Sequence, residues 1–270
     1  MSLNKNQVVL LILVVSVVVF LFIKGYKSST SSVNTIPSAN SAFDINTYVE
    51  QEKKELSQPL QVRISELEKE VKNPIVLQEL IVLWDSLNNQ LVSAYFMEQY
   101  ANIEPTEKNW YATGSKYYTF ASLSNDSIII SEAASKAKKA FEKVIQLNPS
   151  NLDAQTAMAA IIVQIDQDVM KGVGLLKDVV AKDSNNVQAI FTLGMLSIQS
   201  GQFDKAKERF EKLIQLQPFN PEYYFYLGEV YAKSGNTDKA IKIYETCKTL
   251  LKDEVAKKEI ETLINNLKNI

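Results

Sequence analysis

Residues 186–220 read NVQAIFTLGMLSIQSGQFDKAKERFEKLIQLQPFN, and residues 220–247 read NPEYYFYLGEVYAKSGNTDKAIKIYETC. The two stretches carry one pattern twice. Ile190-Phe191-Thr192-Leu193-Gly194 is followed by Gly201, Ala206, Phe210 and Pro218; 34 positions on, Tyr224-Phe225-Tyr226-Leu227-Gly228 is followed by Gly235, Ala240 and Tyr244. A fixed period of this length marks stacked units that bury a core only against one another. Each unit needs two helices. In the first, Ile190, Leu193, Gly194 and Ser197 recur at spacings of three and four and share a face. In the second, Ala206, Phe210 and Leu213 do the same, and Pro218 ends the helix because it has no N–H to continue the ladder. The small residues Gly194 and Ala206 let two helices approach closely, while Phe210 and Tyr244 fill the space between one pair and the next.

This pattern resembles the tetratricopeptide repeat (TPR) family at Leu193, Gly194, Ala206, Phe210 and Pro218, and again at Tyr224, Leu227, Gly228, Tyr231, Ala240 and Tyr244. The resemblance implies an all-α fold, a TPR-type helical-hairpin solenoid, here preceded by a single transmembrane helix and a flexible tether. Working outward, 187–220 and 221–252 are two repeats, and 153–186 is another, with Ala160 at the close-approach site, Gly172 at the alanine position and Leu176 in place of the aromatic. Asn148–Asn151 and Asp183–Asn186 are the turns around it. Residues 108–152 form an enlarged repeat: Trp110, Gly114 and Tyr117 open it, and Ala137, Phe141 and Pro149 close it. Trp110 and Ala137 are 27 positions apart, where the regular repeats have 16. The excess predicts two longer helices with a tip at Ser122–Ser127, capped by Asn125 or Ser127. Residues 74–107 read as a degenerate repeat, with Trp84 at an aromatic position and Ser93 at the small one. Residues 43–73 read as an amphipathic charged helix that starts or kinks at Pro59, lying on the array or serving as a short coiled-coil seam. Residues 253–270 read as a capping helix with Val255, Ile260, Leu263, Ile264 and Leu267 on one face; its alternative place is the groove of the array itself.

At the N-terminus, Val8 to Ile23 is apolar except for Ser16 and is flanked by Lys5, Lys24 and Lys27. No small-x-small cleavage site and no lipobox cysteine follows, so residues 1–27 are expected to be an uncleaved signal anchor that crosses a membrane through residues 8–23. Residues 28–42, rich in Ser, Thr and Asn, are expected to tether the body, with a typical reach of roughly 20 Å. The expected location is a single-pass membrane protein with its body outside the cytoplasm, periplasmic in a bacterium. Lysines on both flanks leave the positive-inside count nearly even.

Composition narrows the chemistry. The chain has 270 residues, 46% of them apolar, and a net charge of −2. That balance gives no electrostatic footprint for nucleic acid. Histidine is absent, which removes the commonest general base and metal ligand. Cys247 is the single cysteine, so no internal disulfide or cysteine metal cage can form, and a buried structural thiol is expected. Gly172-Val173-Gly174 lacks the third glycine and the preceding strand of a phosphate loop. No catalytic residue, metal site or cofactor is expected, and the chain does not read as an enzyme.

The resemblance implies binding of a protein partner, as a peptide or an amphipathic helix, along the first helices of the repeats. Family positions two, five, nine and twelve fall on Ala157, Ile161 and Gln164, then Gln188, Phe191, Met195 and Ile198, then Glu222, Phe225, Glu229 and Ala232. Met195 and Glu229 replace the Asn, Lys and Arg of carboxylate-clamp repeats, so no such clamp is expected. The lining is apolar and aromatic at its centre and acidic at its C-terminal end, which suits an apolar or amphipathic segment with basic flanks. The leading reading is a membrane-tethered adaptor or scaffold. The alternative is a structural subunit of a membrane complex or homo-oligomer, with the groove filled by the chain itself.

Overall fold

The computed structural model describes residues 43–269. Among these the fold is all-helical, of TPR type, with thirteen helices and no strand. The helices are α1 (Ile45–Lys54), α2 (Gln58–Glu68), α3 (Pro74–Ser86), α4 (Gln90–Ile103), α5 (Glu107–Leu123), α6 (Ser127–Leu147), α7 (Leu152–Gln164), α8 (Val169–Lys182), α9 (Val187–Gln199), α10 (Phe203–Leu216), α11 (Pro221–Lys233), α12 (Thr237–Leu250) and α13 (Glu254–Lys268). The chain divides at Ala154/Gln155 into two compact units.

Helix starts follow the cap chemistry written into the sequence. The side chains of Asn73, Asn89, Asn186 and Asn220 accept the first free N–H groups of α3, α4, α9 and α11, and Asp168 and Asp253 do so for α8 and α13. Each such cap contributes about 1 kcal/mol by satisfying a donor that the helix cannot. Pro221 and Pro74 sit in the first turn, where no N–H is needed.

In the first unit, the stretch 43–73 is two helices, parted at Glu55–Ser57, with Pro59 at the start of α2. Val49 of α1 and Ile64 and Leu67 of α2 join Leu77, Leu80 and Trp84 of α3 and Phe96 of α4 in one apolar core. The α3/α4 pair repeats the small-residue crossing in a different form: buried Ser93 donates its hydroxyl to the Ile81 carbonyl at 3.4 Å. The α5/α6 pair is the long one, of 17 and 21 residues against 13 and 14 for α9/α10 and α11/α12. Its tip is capped by Asp126, which accepts from the N–H groups of Ile128 and Ile129. Asn125, Asp126 and Ser127 are all competent caps, and the carboxylate between the two expected residues is the one that closes the turn. Glu98 of α4 ties this pair down: it accepts from the Tyr117 hydroxyl at 2.7 Å and pairs with Lys136 at 2.8 Å. Burial, and then the neighbouring Glu98 charge, push the Tyr117 hydroxyl far above the ordinary phenol range.

In the second unit, the glycine–aromatic contact sets the α9/α10 and α11/α12 crossings. A methyl group placed on Gly194 would lie 3.0 Å from the Phe210 ring, and one on Gly228 would lie 2.6 Å from the Tyr244 ring. At Gly172, the residue replacing the usual alanine, a methyl would meet the Val163 side chain at 2.3 Å and the Ala159 carbonyl at 2.9 Å. The α7/α8 backbones have therefore closed to a distance that only glycine tolerates. The hairpin turns place Gly201 and Gly235 at φ +70° and +77°, and Gln167 takes the same left-handed region at φ +55°. The last helix, α13, buries Ile260 and Ile264 against Ala240, Tyr244 and Cys247 of α12.

The expected membrane localisation is corrected. Among the described residues no helix is long and apolar enough to cross a membrane. The longest, α6, carries Glu132, Lys136, Lys138, Lys139, Glu142 and Lys143 along its length, charges that a hydrocarbon core does not accept. The expected anchor (1–27) and tether (28–42) lie outside the described residues.

Candidate functional face

The candidate face is built from the first helices of the three hairpins in the second unit: α7, α9 and α11. Helical spacing brings the expected positions of each helix to one side, but they differ in depth. Ala157, Gln188, Ile198, Phe225, Glu229 and Ala232 are half-buried, and Gln164 is exposed. Ile161, Phe191 and Met195 are buried. The cause is visible at Phe191. Its ring meets Phe210 of its own hairpin at 6.1 Å, and Tyr223 and Tyr226 of the next first helix at 6.1 and 5.6 Å. Position five thus sits in the seam between successive first helices, where edge-to-face rings pack as core. At the C-terminal end Phe225 and Ala232 border the apolar cluster made by α12 and α13.

The two acidic positions behave unlike a solvated negative end. Both Glu222 carboxylate oxygens are shut off from solvent, and neither has a hydrogen-bond partner. Burial pushes the Glu222 carboxyl up to about 8, so it is chiefly neutral at pH 7. Glu229 pairs with Lys233 at 3.3 Å along its own helix. Burial also raises the Tyr223 hydroxyl to about 12, with the Glu222 charge a lesser cause. Sequence position alone could not reveal this, because Glu222 lies in the first turn of α11, where an exposed acid would favour the helix N-terminus.

Cys247 is buried, and its thiol donates to the Pro221 carbonyl at 3.2 Å. Burial lifts the thiol to about 11, which leaves it an inert packing group at neutral pH. Among the described residues no three His, Cys, Asp or Glu side chains are grouped to hold a metal ion. What the face offers is shape and apolar surface.

Comparison with known proteins agrees on the class. Residues 128–224 match the family model of the cytochrome c-type biogenesis protein H TPR domain, and residues 210–242 match a tetratricopeptide repeat model. The chain therefore carries TPR domains. Among solved structures, a MamA protein is 17% identical, with 66% of this chain and 91% of that chain covered and a TM-score of 0.50. MamA residues 41 to the end from Desulfovibrio magneticus RS-1 is 19% identical over 66% and 94% of the two chains, with a TM-score of 0.50. A thermophilic TPR protein of Thermus thermophilus is 15% identical over 73% and 100%, with a TM-score of 0.53. At these identities the likeness is one of fold. No curated protein sequence matches the chain.

Proposed function

We propose that the chain is a protein-binding scaffold, and that the first-helix face of its second unit receives an apolar or amphipathic segment of a partner protein. The observation that carries this reading is the division of labour along α9. Phe191 and Met195 are buried as packing, while Gln188 and Ile198 on the same side stay half-buried and reachable. A rigid aromatic seam beneath a mixed apolar and amide surface is the kind of preorganised platform that a helix-in-groove or extended peptide contact uses. The TPR-domain match over 128–224 supports scaffold use of this region.

This reading gives no weight to basic flanks on the partner, since burial pushes the Glu222 carboxyl up to about 8 and Glu229 pairs with Lys233. The test replaces reachable positions only: Gln188→Arg/Ile198→Arg/Ala232→Arg, with partners trapped by chemical cross-linking and the mass of the particle measured in parallel. Loss of the cross-linked partner at unchanged mass and unchanged melting supports the scaffold. A partner retained by the triple variant sinks it. A changed mass with no partner lost would favour a self-assembling subunit instead.

A further inference from the structure

We infer that the second unit carries an additional binding site, on a different side of α9, for an acidic peptide segment. Between α8, α9 and α10 lies a pocket of about 250 Å³ with Ile190 and Leu193 at its floor and Lys177, Glu208, Arg209 and Lys212 around it. At about 100° per residue, Leu193 stands about 140° from both Gln188 and Ile198, and Ile190 about 160° from Gln188, so the pocket opens on a different side of α9 from the first-helix face. It does not depend on the function proposed above.

Three features fix the ligand chemistry. First, three cations stand against the single carboxylate of Glu208, and among the described residues Lys177, Arg209 and Lys212 form no ion pair. Second, Arg209 is held in place: its guanidinium donates to the Leu193 carbonyl at 3.3 Å and to the Ser197 hydroxyl. Burial lowers its proton affinity somewhat, with Glu208 opposing, yet an arginine stays charged. A guanidinium anchored through some of its five N–H groups keeps the others to offer an oxygen anion. Third, the buried floor of Ile190 and Leu193 asks for an aliphatic neighbour beside the anion.

Size and placement favour a side chain of a peptide over a small anion or a cofactor. The volume is below the roughly 300–1,000 Å³ of small-molecule sites. Ser184 and Ile190 bring the start of α9 to the pocket, but the Asn186 side chain already takes the Ala189 N–H there, and Lys177 and Arg209 stand within the bodies of α8 and α10. A glutamate or aspartate followed by leucine or valine matches both the rim and the floor.

The test uses the full chain and a fluorescein-labelled peptide of alternating leucine and glutamate, read by fluorescence anisotropy. Binding that weakens about tenfold or more in Lys177→Glu/Lys212→Glu, and is screened by salt, supports the site. The charge-matched control Lys205→Glu/Lys242→Glu, on exposed positions of the same unit, should bind like wild type. Gln188→Arg/Ile198→Arg should too. Four results overturn the inference: no binding by wild type, equal loss in the control, equal affinity for the lysine counterpart of the peptide, or displacement by inorganic phosphate at matching concentrations. Unchanged binding in Lys177→Glu/Lys212→Glu does so as well.

Discussion

The long hairpin α5/α6 and the regular hairpin α9/α10 share one contact and differ in almost everything around it. In both, a glycine of the first helix lies under an aromatic ring of the second: a methyl on Gly114 would lie 2.9 Å from Phe141, and one on Gly194 would lie 3.0 Å from Phe210. The crossing is kept between them while helix length is not. The turns differ too. The regular hairpin turns through Gly201 at positive φ, whereas the long one turns through a loop closed by the Asp126 carboxylate. The lesson is that the glycine–ring contact fixes where two helices meet, and leaves their far ends free to grow. The additional length of α5/α6 leaves Leu123 and Ile128 exposed at its tip.

The comparison can be broken first at its rings. Phe141 and Phe210 are both fully buried, and truncation of either to alanine should cost about 3–5 kcal/mol in urea unfolding. If Phe141→Ala costs under about 1 kcal/mol while Phe210→Ala costs the full amount, the long hairpin does not rest on the shared contact.

Next in size is a feature of the second unit's last hairpin, the buried Glu222 of α11. Its carboxyl titrates near 8 when folded, against an ordinary 4.5. Below pH 4.5 it is neutral in both states, and its packing is fully available. As pH rises from there to about 8, the unfolded chain ionises first, so stability should fall, by about 2–4 kcal/mol, and level off above. Glu222→Gln should flatten that slope, measured as unfolding midpoints from pH 4 to 9. A slope that survives the substitution would assign the effect elsewhere.

The glycines come third. Gly→Ala gains about 1 kcal/mol of helix propensity but must displace a neighbour, at about 1–3 kcal/mol. Gly172, with 2.3 Å to Val163 and 2.9 Å to the Ala159 carbonyl, should therefore suffer most, and among the ring contacts Gly228, with 2.6 Å to Tyr244, should suffer more than Gly194, with 3.0 Å to Phe210. Equal melting shifts at Gly228 and Gly194 would show that the rings swing aside freely.

The smallest effects concern the turns. Gly201→Ala and Gly235→Ala should each cost about 1 kcal/mol, because a side chain at positive φ meets its own carbonyl. Gln167 occupies that region without being glycine, so Gln167→Gly should move melting the other way, by up to about 1 kcal/mol. The long hairpin offers the matching test: Asp126→Ala should cost about 0.5–2 kcal/mol through the lost cap. A silent Asp126→Ala would mean that the tip frays at no cost.

Much of the fold was legible because each hairpin announces itself locally. Gly194, Ala206 and Phe210 stand at fixed offsets, and the Asn and Asp residues that cap the helices flank each apolar run. Depth was less legible. The spacing that put Phe191 on the first-helix side is correct as a register, yet its cover comes from Tyr223 and Tyr226, 32 and 35 positions on. Glu222 misled for the same reason: charge type is local, while desolvation depends on neighbours far along the chain. Asp126 escaped because three adjacent residues could each cap α6, and only the backbone decides among them. The pocket beside Arg209 was invisible in the sequence, since its three cations come from two helices more than 30 positions apart at their extremes.

Trp84 and Trp110, the only two tryptophans in the sequence, are both buried in the first unit. Indole emission therefore watches one half of the molecule, whereas far-ultraviolet circular dichroism follows the helices of both. Denaturation traced by both signals in a single sample will tell whether the halves melt as one cooperative body or in sequence, with no label added.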